Sequence, residues 1–397
     1  MSKLEELIEE LCPDGVVYME LGKVCEFNRG TSITSKNAIA GNVPVISGGK
    51  KPAFFHNEPN RKSNTIVIAG SGAYAGYVSF WRIPIFCADA FSVDVKTNVS
   101  LEISFLYHYL LNNQQKIYNT KTGAGIPHVY GKNIAKFKIP IPPLEVQREI
   151  VRILDNFTEL TTELTTELTA RKKQYEFYCD KFFGGDYDGM IRMSQKEDIK
   201  VVSLGELGKL TRGKRFVRAD IVEKGTPCIH YGDLYTHYGI WANKTKNYIN
   251  NDVASKMRYA HTGDVVIVGA GENDMDIGIA VAWLGNEDVA IHDACYIFEH
   301  NINPKYLSYY FRTSIYHLQI KKYVSTGKIC AISSVGLSKA LIPIPSLEEQ
   351  QRIVNILDRF DELCNDISKG LPAEIEMRKK QYEYYRDKLL TFKDLEE

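Results

Sequence analysis

The chain has 397 residues, more than one hydrophobic core usually supports, so two or more domains are expected. Its 44% hydrophobic and 25% charged residues suit a globular protein, and its formal net charge of zero excludes a uniformly basic nucleic-acid-binding surface. The eight cysteines form no C-x-x-C pair or zinc-spaced cluster, and no apolar run approaches a membrane span. We therefore expect reduced thiols and a cytoplasmic protein without a membrane partner.

The first third of the chain predicts a short helix followed by a β-rich globule. Leu4–Leu11 is amphipathic and stops at Pro-Asp-Gly. From residue 16 to about residue 138, short apolar runs are separated by Gly, Asn and Pro, which is typical of strands. Leu101–Tyr118 has the longer pattern of a helix. The clearest predicted strands are Val43–Ile46, Thr65–Ala69 and Phe91–Val95.

A long helix is predicted next. A proline-rich entry at residues 139–143 suits a first helical turn but not a helix interior. From Ile150 to Phe182 the apolar positions recur mostly every three or four residues, which marks one face of a helix. About forty residues would span roughly 60 Å. So long an apolar stripe needs a partner helix.

The partner is a second copy of the same segment. Residues 139–155 return as residues 342–358, at an offset of 342 − 139 = 203 and with 12 of 17 positions identical. Arg171–Tyr178 returns as Arg378–Tyr385, at an offset of 378 − 171 = 207. Gly370 and Pro372 predict a break or kink near residues 368–372 in the second copy. We expect the two long helices to pack side by side as a coiled-coil spacer.

The globules on either side of the first helix are also related. The turn-rich stretch Gly184–Gly189 predicts a boundary, and the β-rich texture returns from about Val201. Short matches connect the two globules, whereas the residues between them differ almost completely. The matches are Leu21-Gly22 with Leu204-Gly205, Arg29-Gly30 with Arg212-Gly213, Ile66–Gly72 with Val265–Gly271, Asp89-Ala90 with Asp293-Ala294, and Thr122-Gly123 with Thr326-Gly327.

These repeats predict four segments in the order globule, helix, globule, helix. The first globule, with its short N-terminal helix, is predicted at 1–138 and the first spacer helix at 139–184. The second globule is predicted at 185–341, with a linker at 184–200, and the second spacer helix at 342–397.

The repeated segments resemble the conserved regions of the specificity (S) subunit of type I restriction–modification enzymes. The residues that carry the resemblance are Pro142-Pro-Leu-Glu-x-Gln-x-x-Ile-Val-x-Ile-Leu-Asp155, its twin at Pro345–Asp358, and the two Arg-Lys-Lys-Gln-Tyr-Glu blocks. The resemblance implies an α+β protein with two mixed α/β target-recognition domains, separated by two long antiparallel helices in an internal pseudo-two-fold repeat. Each domain would bind one half of a split site on double-stranded DNA.

The same resemblance implies the partners. The helices would dock two methyltransferase subunits, and restriction subunits are left open. The chain itself would be non-catalytic and bind no cofactor, with S-adenosylmethionine expected on the methyltransferase. The sequence agrees in lacking an Asn/Asp-Pro-Pro-aromatic tetrapeptide, a Walker loop and a Gly-x-Ser-x-Gly elbow. A stand-alone bipartite DNA-binding regulator and, more remotely, a two-domain hydrolase are the alternatives.

Glu159–Ala170 repeats every four residues within the first predicted helix, with its leucines at Leu160, Leu164 and Leu168. Each unit adds about 6 Å and about 40° of excess rotation. We interpret it as a ruler for the spacing of the DNA half-sites. The alternative is a threonine-rich solvated helix whose length does not matter.

Loops that follow predicted strands supply the candidate DNA contacts, because binding groups usually lie on loops of a rigid scaffold. Cations suit phosphate and guanine contacts, whereas Tyr74 and Asn273 follow glycine-containing turns. The alternatives are solvated charged loops and plain structural turns, and we expect Asp89 and Asp293 to cap or anchor loops. The candidates are Arg29, Thr31, Lys36, Lys50, Lys51, Tyr74, Arg212, Lys214, Arg215, Arg218, Lys244, Lys246 and Asn273.

The repeated Arg-Lys-Lys-Gln-Tyr-Glu blocks supply the candidates for methyltransferase docking, because aromatic residues are common interface anchors. The alternative is that the tyrosines only hold the two helices together. The candidates are Gln174, Tyr175, Tyr178, Gln381, Tyr382 and Tyr385.

Overall fold

The computed structural model describes residues 3–123, 125–194 and 199–395. The chain divides into two compact units. Unit 1 is Met1–Thr165 with Glu374–Glu397, and unit 2 is Thr166–Ala373. Each unit thus combines one globule with parts of the repeated helices. The four segments predicted above follow the sequence repeats, whereas the two units follow the compactness of the fold. The predicted segment boundaries therefore stay a prediction.

Unit 1 mixes short strands with helices. Its helices are α1 (Lys3–Leu11), α2 (Leu21–Val24), α3 (Ile103–Asn112), α4 (Gln114–Tyr118), α5 (Gly131–Ile134), the first part of α6 (Leu144–Phe182) and most of α15 (Leu371–Leu389). Its strands are β1 (Tyr18–Glu20), β2 (Cys25–Arg29), β3 (Val43–Ile46), β4 (Phe54–His56), β5 (Thr65–Ala69), β6 (Val78–Trp81), β7 (Phe86–Cys87), β8 (Ala90–Val95) and β9 (Lys138–Pro140). The predicted short helix and strands are confirmed, and the predicted helix at 101–118 forms as α3 and α4.

Strand β5 is the centre of unit 1, and both of its faces are buried. The sheets have the strand orders β2-β8-β5-β6, β4-β3-β7 and β1-β9. Ile66 and Ile68 pack in a core that includes Phe105 of α3, whereas Val67 packs with Ile46 of β3 in a second, smaller core. This explains the uninterrupted apolar run of β5, because alternate side chains point to opposite faces of a sheet.

Unit 2 contains the second globule. Its helices are the last part of α6, α7 (Tyr187–Ser194), α8 (Leu204–Leu207), α9 (Asp233–Thr236), α10 (Asn251–Ala254), α11 (Pro304–Tyr310), α12 (Ser314–Lys321), α13 (Ser334–Ser338), α14 (Leu347–Asn365) and the start of α15 (Leu371–Leu389). Its first strands are β10 (Lys200–Ser203), β11 (Lys209–Arg212), β12 (Ile221–Val222), β13 (Thr226–Ile229), β14 (Trp241–Ala242), β15 (Asn247–Ile249) and β16 (Tyr259–Ala260). The remaining strands are β17 (Val265–Val268), β18 (Ala270–Gly271), β19 (Ala280–Trp283), β20 (Val289–Ile291), β21 (Cys295–Glu299), β22 (Cys330–Ala331) and β23 (Leu341–Ile344).

The topology of unit 2 repeats that of unit 1. Its sheets have the orders β11-β21-β17-β19-β14, β12-β15-β13-β20-β16, β10-β23 and β18-β22. The order β11-β21-β17-β19 corresponds to β2-β8-β5-β6, and the parallel pair β13–β20 corresponds to the parallel pair β3–β7. The predicted internal repeat is therefore confirmed in the strand order, although the loops between equivalent strands differ in length and sequence.

The predicted long helices pack against each other within each unit. In unit 1 the rings of Phe157 and Tyr385 stack with their centroids 5.5 Å apart. In unit 2 Tyr178 stacks on Phe360 at 5.5 Å, and the guanidinium of Arg352 lies 6.0 Å from the ring of Phe182. Residues further along α6 therefore pack against residues nearer the start of α14. The two helices are thus antiparallel, as expected.

The second copy of the long helix is interrupted between α14 and α15. Asn365 ends α14 and Leu371 begins α15, with Pro372 in the first turn, where its missing N–H costs nothing. Gly370 lies against the last turn of α14, and a side chain there would collide with the carbonyl oxygens of Glu362 and Leu363. The glycine and proline thus stop one helix and start the next.

A buried glutamine fastens each globule to its long helix. In unit 1 the Gln147 side chain donates to the Pro142 carbonyl at 2.7 Å and accepts from the Glu102 N–H at 2.8 Å. In unit 2 Gln350 donates to the Pro345 carbonyl at 2.9 Å and accepts from the Asn303 N–H at 3.0 Å. The two side chains are 0% and 1% exposed. The glutamine of the repeated motif therefore joins the start of α6 to α3 and the start of α14 to α11.

The repeated aspartate makes a second tie between the same helices. Asp155 lies 3.0 Å from Nε2 of His108 on α3, and this hydrogen bond lowers the pKa of the Asp155 carboxyl. Asp358 accepts from the Tyr309 hydroxyl at 2.7 Å and pairs with the Lys305 ammonium at 2.6 Å on α11. The partner differs between the units, but the carboxylate holds the equivalent helix in both.

The predicted linker is more ordered than its composition indicates. Gly184 and Gly185 adopt φ values of 107° and 75°, which form the expected turn. Helix α7 then begins at Tyr187, inside the stretch predicted to be turns, because Met190 is buried in the core of unit 2. Residues 195–198 of the predicted linker lie outside the described residues.

Two general expectations can be compared with the structure. The cysteines are free thiols, and all eight are buried. Burial raises the pKa of the Cys25 thiol to about 12, which disfavours its reactive thiolate form. Within the described ranges, no helix combines the length and apolar character needed to cross a membrane.

The glutamine ties lead to a stability prediction. Replacing Gln147 or Gln350 by Ala leaves a buried N–H and a buried carbonyl without their partner, so each variant should lose about 2 kcal/mol of unfolding free energy. Chemical denaturation followed by circular dichroism measures the loss. The matched control is Gln115→Ala, because Gln115 is exposed and bonds only locally to Asn119 among its recorded contacts. A loss no larger than that of the control would contradict the assignment.

Candidate nucleic-acid interface

The repeated Arg-Gly pair ends the first strand of the main sheet in each unit. Gly30 donates its N–H to the Ala90 carbonyl at 2.9 Å, and Gly213 donates to the Cys295 carbonyl at 3.0 Å. A side chain at either glycine would collide with carbonyl oxygens of the neighbouring chain segment. Glycine therefore lets the backbone leave the sheet, and Arg29 and Arg212 remain exposed at equivalent strand ends.

A second arginine, missed in the sequence, supports each of these strand ends. Arg61 donates to the Arg29 carbonyl at 3.0 Å, and Arg258 donates to the Arg212 carbonyl at 2.6 Å. The backbone carbonyls of Arg61 and Arg258 also accept hydrogen bonds, from the N–H groups of Ile85 and Ile291 respectively. The two arginines lie in stretches without local identity between the globules, so only the fold reveals their equivalence.

In unit 1 the structure brings Lys50 and Tyr74 together. The Lys50 ammonium lies 5.2 Å from the centre of the Tyr74 ring and 5.6 Å from that of Tyr77. Both Lys50 and Tyr74 are exposed, and Lys51 follows on the same exposed loop. Within the described part of unit 1, no recorded hydrogen bond or ring contact links Lys36 to this group, and Thr31 donates its backbone N–H to the Cys87 carbonyl instead.

In each unit, the glycine turn after the central strand lies beside the segment that contains the repeated Thr-Gly pair. The N–H of Val129 donates to the Gly70 carbonyl at 3.0 Å, directly after the antiparallel bridge between Thr122 and His128. The N–H of Ile332 donates to the Gly269 carbonyl at 2.9 Å in the same way. Short matches that are far apart in the sequence thus build one equivalent surface in both units.

A hollow of about 380 Å³ lies at this edge of unit 1, lined in part by Arg29, Asp89 and His128. The ring of His128 stacks on Tyr130 with centroids 6.2 Å apart, and the Lys132 ammonium lies 5.7 Å from the Tyr130 ring. Tyr130 and Lys132 were not among the predicted DNA contacts. An exposed aromatic ring beside cations is suited to nucleic acid, and the Tyr-Gly-Lys sequence was the available signal.

Of the two repeated aspartates, Asp89 anchors a loop through its carboxylate as expected, whereas Asp293 contributes its main-chain carbonyl. The Ser71 hydroxyl donates to the Asp89 carboxylate, which holds the glycine turn after β5. Arg212 donates from Nε to the backbone carbonyl of Asp293 at 2.7 Å. In unit 2 the anchoring atom is therefore the main-chain oxygen rather than the carboxylate.

The basic loop of unit 2 is held by one buried aromatic residue. Phe216 is 2% exposed, and its ring lies 4.9 Å from His292 and 6.3 Å from His230. Burial lowers the pKa of both imidazoles, which favours their neutral form. Because the middle of the loop is fixed in this way, Lys214, Arg215 and Arg218 are presented to solvent.

Other candidates in unit 2 are partly occupied by contacts within the chain. The Lys246 ammonium lies 3.6 Å from the carboxylate of Asp233, whereas Lys244 is exposed on the same loop. Asn273 accepts from the Met275 N–H at 3.1 Å and is flanked by Glu272 and Asp274. Nearby carboxylates disfavour phosphate, so the geometry supports Asn273 less than Arg215 as a DNA contact.

The tyrosines predicted to dock a methyltransferase each contact another side chain of their own unit, although Tyr385 stays 40% exposed. Tyr175 and Tyr178 lie 6.4 Å and 5.5 Å from the ring of Phe360. Tyr385 stacks on Phe157, and the Tyr382 hydroxyl lies 3.1 Å from Nδ1 of His108. These contacts favour the alternative, in which the tyrosines hold the helices together.

The two glutamines of the docking prediction are also engaged within their helices. Gln174 accepts from Arg171 at 3.0 Å, and Gln381 accepts from Arg378 at 3.1 Å. Both side chains are half-buried. Their role in docking stays a prediction.

The four-residue repeat forms a regular part of α6. The Thr161 hydroxyl donates to the Phe157 carbonyl at 2.8 Å, and Thr165 donates to the Thr161 carbonyl at 2.7 Å. Such bonds to the carbonyl four residues earlier satisfy threonine hydroxyls within the helix itself. The leucines of the proposed ruler are all half-buried; they are Leu160, Leu164 and Leu168.

Comparisons with known proteins agree on one family. The model of the type I restriction modification DNA specificity domain matches residues 13–172 and 196–377. A putative type I restriction enzyme specificity subunit of Haemophilus influenzae is 30% identical, over 98% of this chain and 98% of its own length.

Solved structures share the fold. The crystal structure of a type I restriction–modification S subunit from M. genitalium has a TM-score of 0.59 at 16% identity and covers 94% of this chain and 96% of its own. A chain from a structural study of complex assembly and conformational transition of the type I R-M system has a TM-score of 0.62 at 20% identity, covering 96% of this chain and 98% of its own.

The role of Phe216 can be tested with trypsin, which cleaves after arginine and lysine. Phe216→Ala removes the buried ring, a change that costs about 3 kcal/mol at a well-packed site, so the loop opens more often. Cleavage after Arg212, Lys214, Arg215 or Arg218 should become more than about tenfold faster, because proteolysis follows the open population. Limited digestion with mass spectrometry locates the cuts.

The control for this experiment is Phe55→Ala, which shortens an exposed phenylalanine in unit 1. It should leave cleavage in the loop unchanged. Equal cleavage rates in Phe216→Ala and the unchanged protein would show that the ring does not hold the loop.

Proposed function

Because the chain belongs to the type I restriction–modification DNA specificity family and is a DNA sequence-specificity subunit, we propose that each of its two units binds one half of a bipartite DNA site. In this role the chain selects the sequence and carries out no chemistry.

One observation supports this proposal most. The two units share an equivalent edge of the sheet, but they expose different side chains there. In both units the Arg-Gly strand end, the glycine turn and the β-bridge beside the Thr-Gly pair build the same surface. Unit 1 presents Lys50, Tyr74 and Tyr130 there, whereas unit 2 presents the basic loop at residues 212–218. A shared scaffold with different loops is suited to two half-sites of different sequence.

Local charge supports the same surfaces. The net charge of the chain is zero, so attraction to phosphate must come from patches. In unit 2 the exposed Lys214, Arg215 and Arg218 form such a patch within five residues. Arginine also pairs with the major-groove edge of guanine through two hydrogen bonds, so this loop combines phosphate binding with base discrimination.

The long helices have two proposed roles. They dock two methyltransferase subunits, on which S-adenosylmethionine would be bound, and restriction subunits would join the assembly through these partners. The repetition of the block at residues 171–178 as residues 378–385 supports two copies of one partner. One structural neighbour comes from a study of complex assembly in the type I R-M system, which is consistent with this role.

The second proposed role of the helices is to set the spacing of the half-sites. Helix α6 is continuous from Leu144 to Phe182, and the division between unit 1 and unit 2 lies at Thr165–Thr166 within its four-residue repeat. The length of this repeat would then determine the number of base pairs between the half-sites. This is the ruler hypothesis applied to the continuous helix.

Substitutions in the two units should affect different halves of the DNA site. Arg215→Ala should weaken or relax recognition of one half by about tenfold or more, since a bidentate arginine–base contact is worth about 1–3 kcal/mol. Tyr74→Ala should affect the other half. Single-molecule sequencing of genomic methylation, in a host that carries the complete system and lacks other methyltransferases, reports both halves at once.

The matched controls are Lys209→Ala and Lys23→Ala. Lys209 begins β11, at the opposite end of the strand from Arg212, and Lys23 precedes β2, at the opposite end from Arg29. Both should leave the methylated sequence unchanged. If Arg215→Ala and Tyr74→Ala altered the same half, the assignment of one half-site to each unit would be wrong.

Removing one helical repeat should change only the spacing. Deletion of Leu164–Glu167 shortens α6 by about 6 Å, which corresponds to one or two base pairs at about 3.4 Å each. The methylated sites should therefore keep both half-sites but lose about one or two base pairs between them. Thr165→Ala with Thr166→Ala, which keeps the length, is the control, and an unchanged spacer in the deletion variant would refute the ruler hypothesis.

A further inference from the structure

The repeated helical block exposes one aromatic side chain in each unit. Phe177 of α6 is 59% exposed and Tyr384 of α15 is 63% exposed. The two positions are equivalent in the repeat, because 384 − 177 = 207 is the offset of the block. Their neighbours Tyr178 and Tyr385 stack on Phe360 and Phe157 of the same unit, and Tyr385 is 40% exposed. Each more exposed ring touches its neighbour only edge-on, Phe177 at 5.5 Å from Tyr178 and Tyr384 at 5.3 Å from Tyr385.

Lysines flank both exposed rings at a spacing of four residues. Lys173 and Lys181 flank Phe177, and residues 380 and 388 are lysines that flank Tyr384. Residues four apart are neighbours on one face of a helix. All four lysines are exposed. We call Lys173–Phe177–Lys181 and its counterpart Lys380–Tyr384–Lys388 the aromatic ridges of unit 2 and unit 1.

The contacts recorded within the chain leave the ridges available. The Lys181 ammonium lies 5.5 Å from the Phe177 ring, and Lys380 lies 3.7 Å from Glu376 with both side chains largely exposed. An exposed ion pair of this kind contributes little and is readily exchanged for another partner. The cation and the ring therefore remain accessible in each unit.

The repeat distinguishes the ridges from incidental surface residues. Single exposed apolar side chains are common and need no explanation. Here, however, the same lysine–aromatic–lysine pattern occurs at equivalent positions of two units whose globules differ almost completely between their short matches. Two equal surfaces on one chain suit two copies of the same partner. Buried aromatic anchors with a charged rim are the usual centre of such an interface.

We propose, resting on the function proposed above, that each aromatic ridge docks one methyltransferase subunit. The aromatic ring enters an apolar pocket of the partner, and carboxylates at the rim of that pocket pair with the two lysines. This assignment replaces the four predicted tyrosines, which already contact other side chains of their own unit, by Phe177 and Tyr384 as the anchors.

The test counts methyltransferase subunits bound to the full chain, with the methyltransferase of the same restriction–modification system as the probe. Native mass spectrometry should find two copies on the unchanged protein. Phe177→Glu and Tyr384→Glu should each leave one copy, and the double variant should leave none under the same conditions. Loss of an aromatic anchor and repulsion from the acidic rim should weaken each site by about 30-fold or more.

The controls introduce the same charge at other exposed apolar residues. Leu318→Glu in unit 2 and Phe55→Glu in unit 1 should both retain two copies. The thermal midpoint of each variant shows whether its fold is intact. Lys173→Glu with Lys181→Glu provides a second test of the unit 2 ridge, because it keeps the ring and reverses the charge.

The outcomes separate this inference from the proposed function. If the unchanged chain binds no methyltransferase, the proposed docking role itself fails. If the unchanged chain binds two copies and the folded double variant also binds two with unchanged affinity, only the ridge assignment is overturned. Retention of both subunits with loss of DNA binding would likewise overturn it, because the ridges would then be DNA-contact surfaces.

Discussion

The structure depends most on the buried glutamine that joins each globule to a long helix. Gln147 and Gln350 each satisfy a proline carbonyl at the helix entry and a backbone N–H at the start of a neighbouring helix. A buried amide is stable only when both of its ends are paired, so one side chain holds both helices in a single geometry. The repeated Asp155 and Asp358 add a second tie to the same pair of helices.

Such ties belong to the part of each unit that repeats between the two units, not to the part that differs between them. The helix entries and the fully buried strands β5 and β17 form a scaffold that tolerates little change, because both faces of each strand pack in a core. The exposed loops at the sheet edge are not packed in a core on both faces, and their sequences differ between the units. A specificity subunit needs this division, since the globules must keep their attachment while their DNA contacts change.

The candidate DNA interface was partly predictable. Arg29 and Arg212 were found because an adjacent glycine is required where the backbone passes close to its neighbour, and this leaves a sequence match. Lys50 and Tyr74 were predicted separately, but their contact arises from two loops that only the fold brings together. Arg61 and Arg258 were missed, because hydrogen bonds to backbone carbonyls leave no motif in the chain. The Tyr-Gly-Lys sequence at Tyr130 was a weak signal, and only the fold shows that His128 stacks on that ring.

The sequence by itself determined the repeated organisation, the long helices, the break before Pro372 and the family, because periodicity, proline placement and repeated motifs are local properties of the chain. Only the tertiary structure decided which face of each helix is used. Tyr175 and Phe177 are equally plausible anchors in the sequence, yet one packs against Phe360 and the other lies in solvent. The physical reason is that burial depends on which elements pack together, and those elements are nearly two hundred residues apart in the chain.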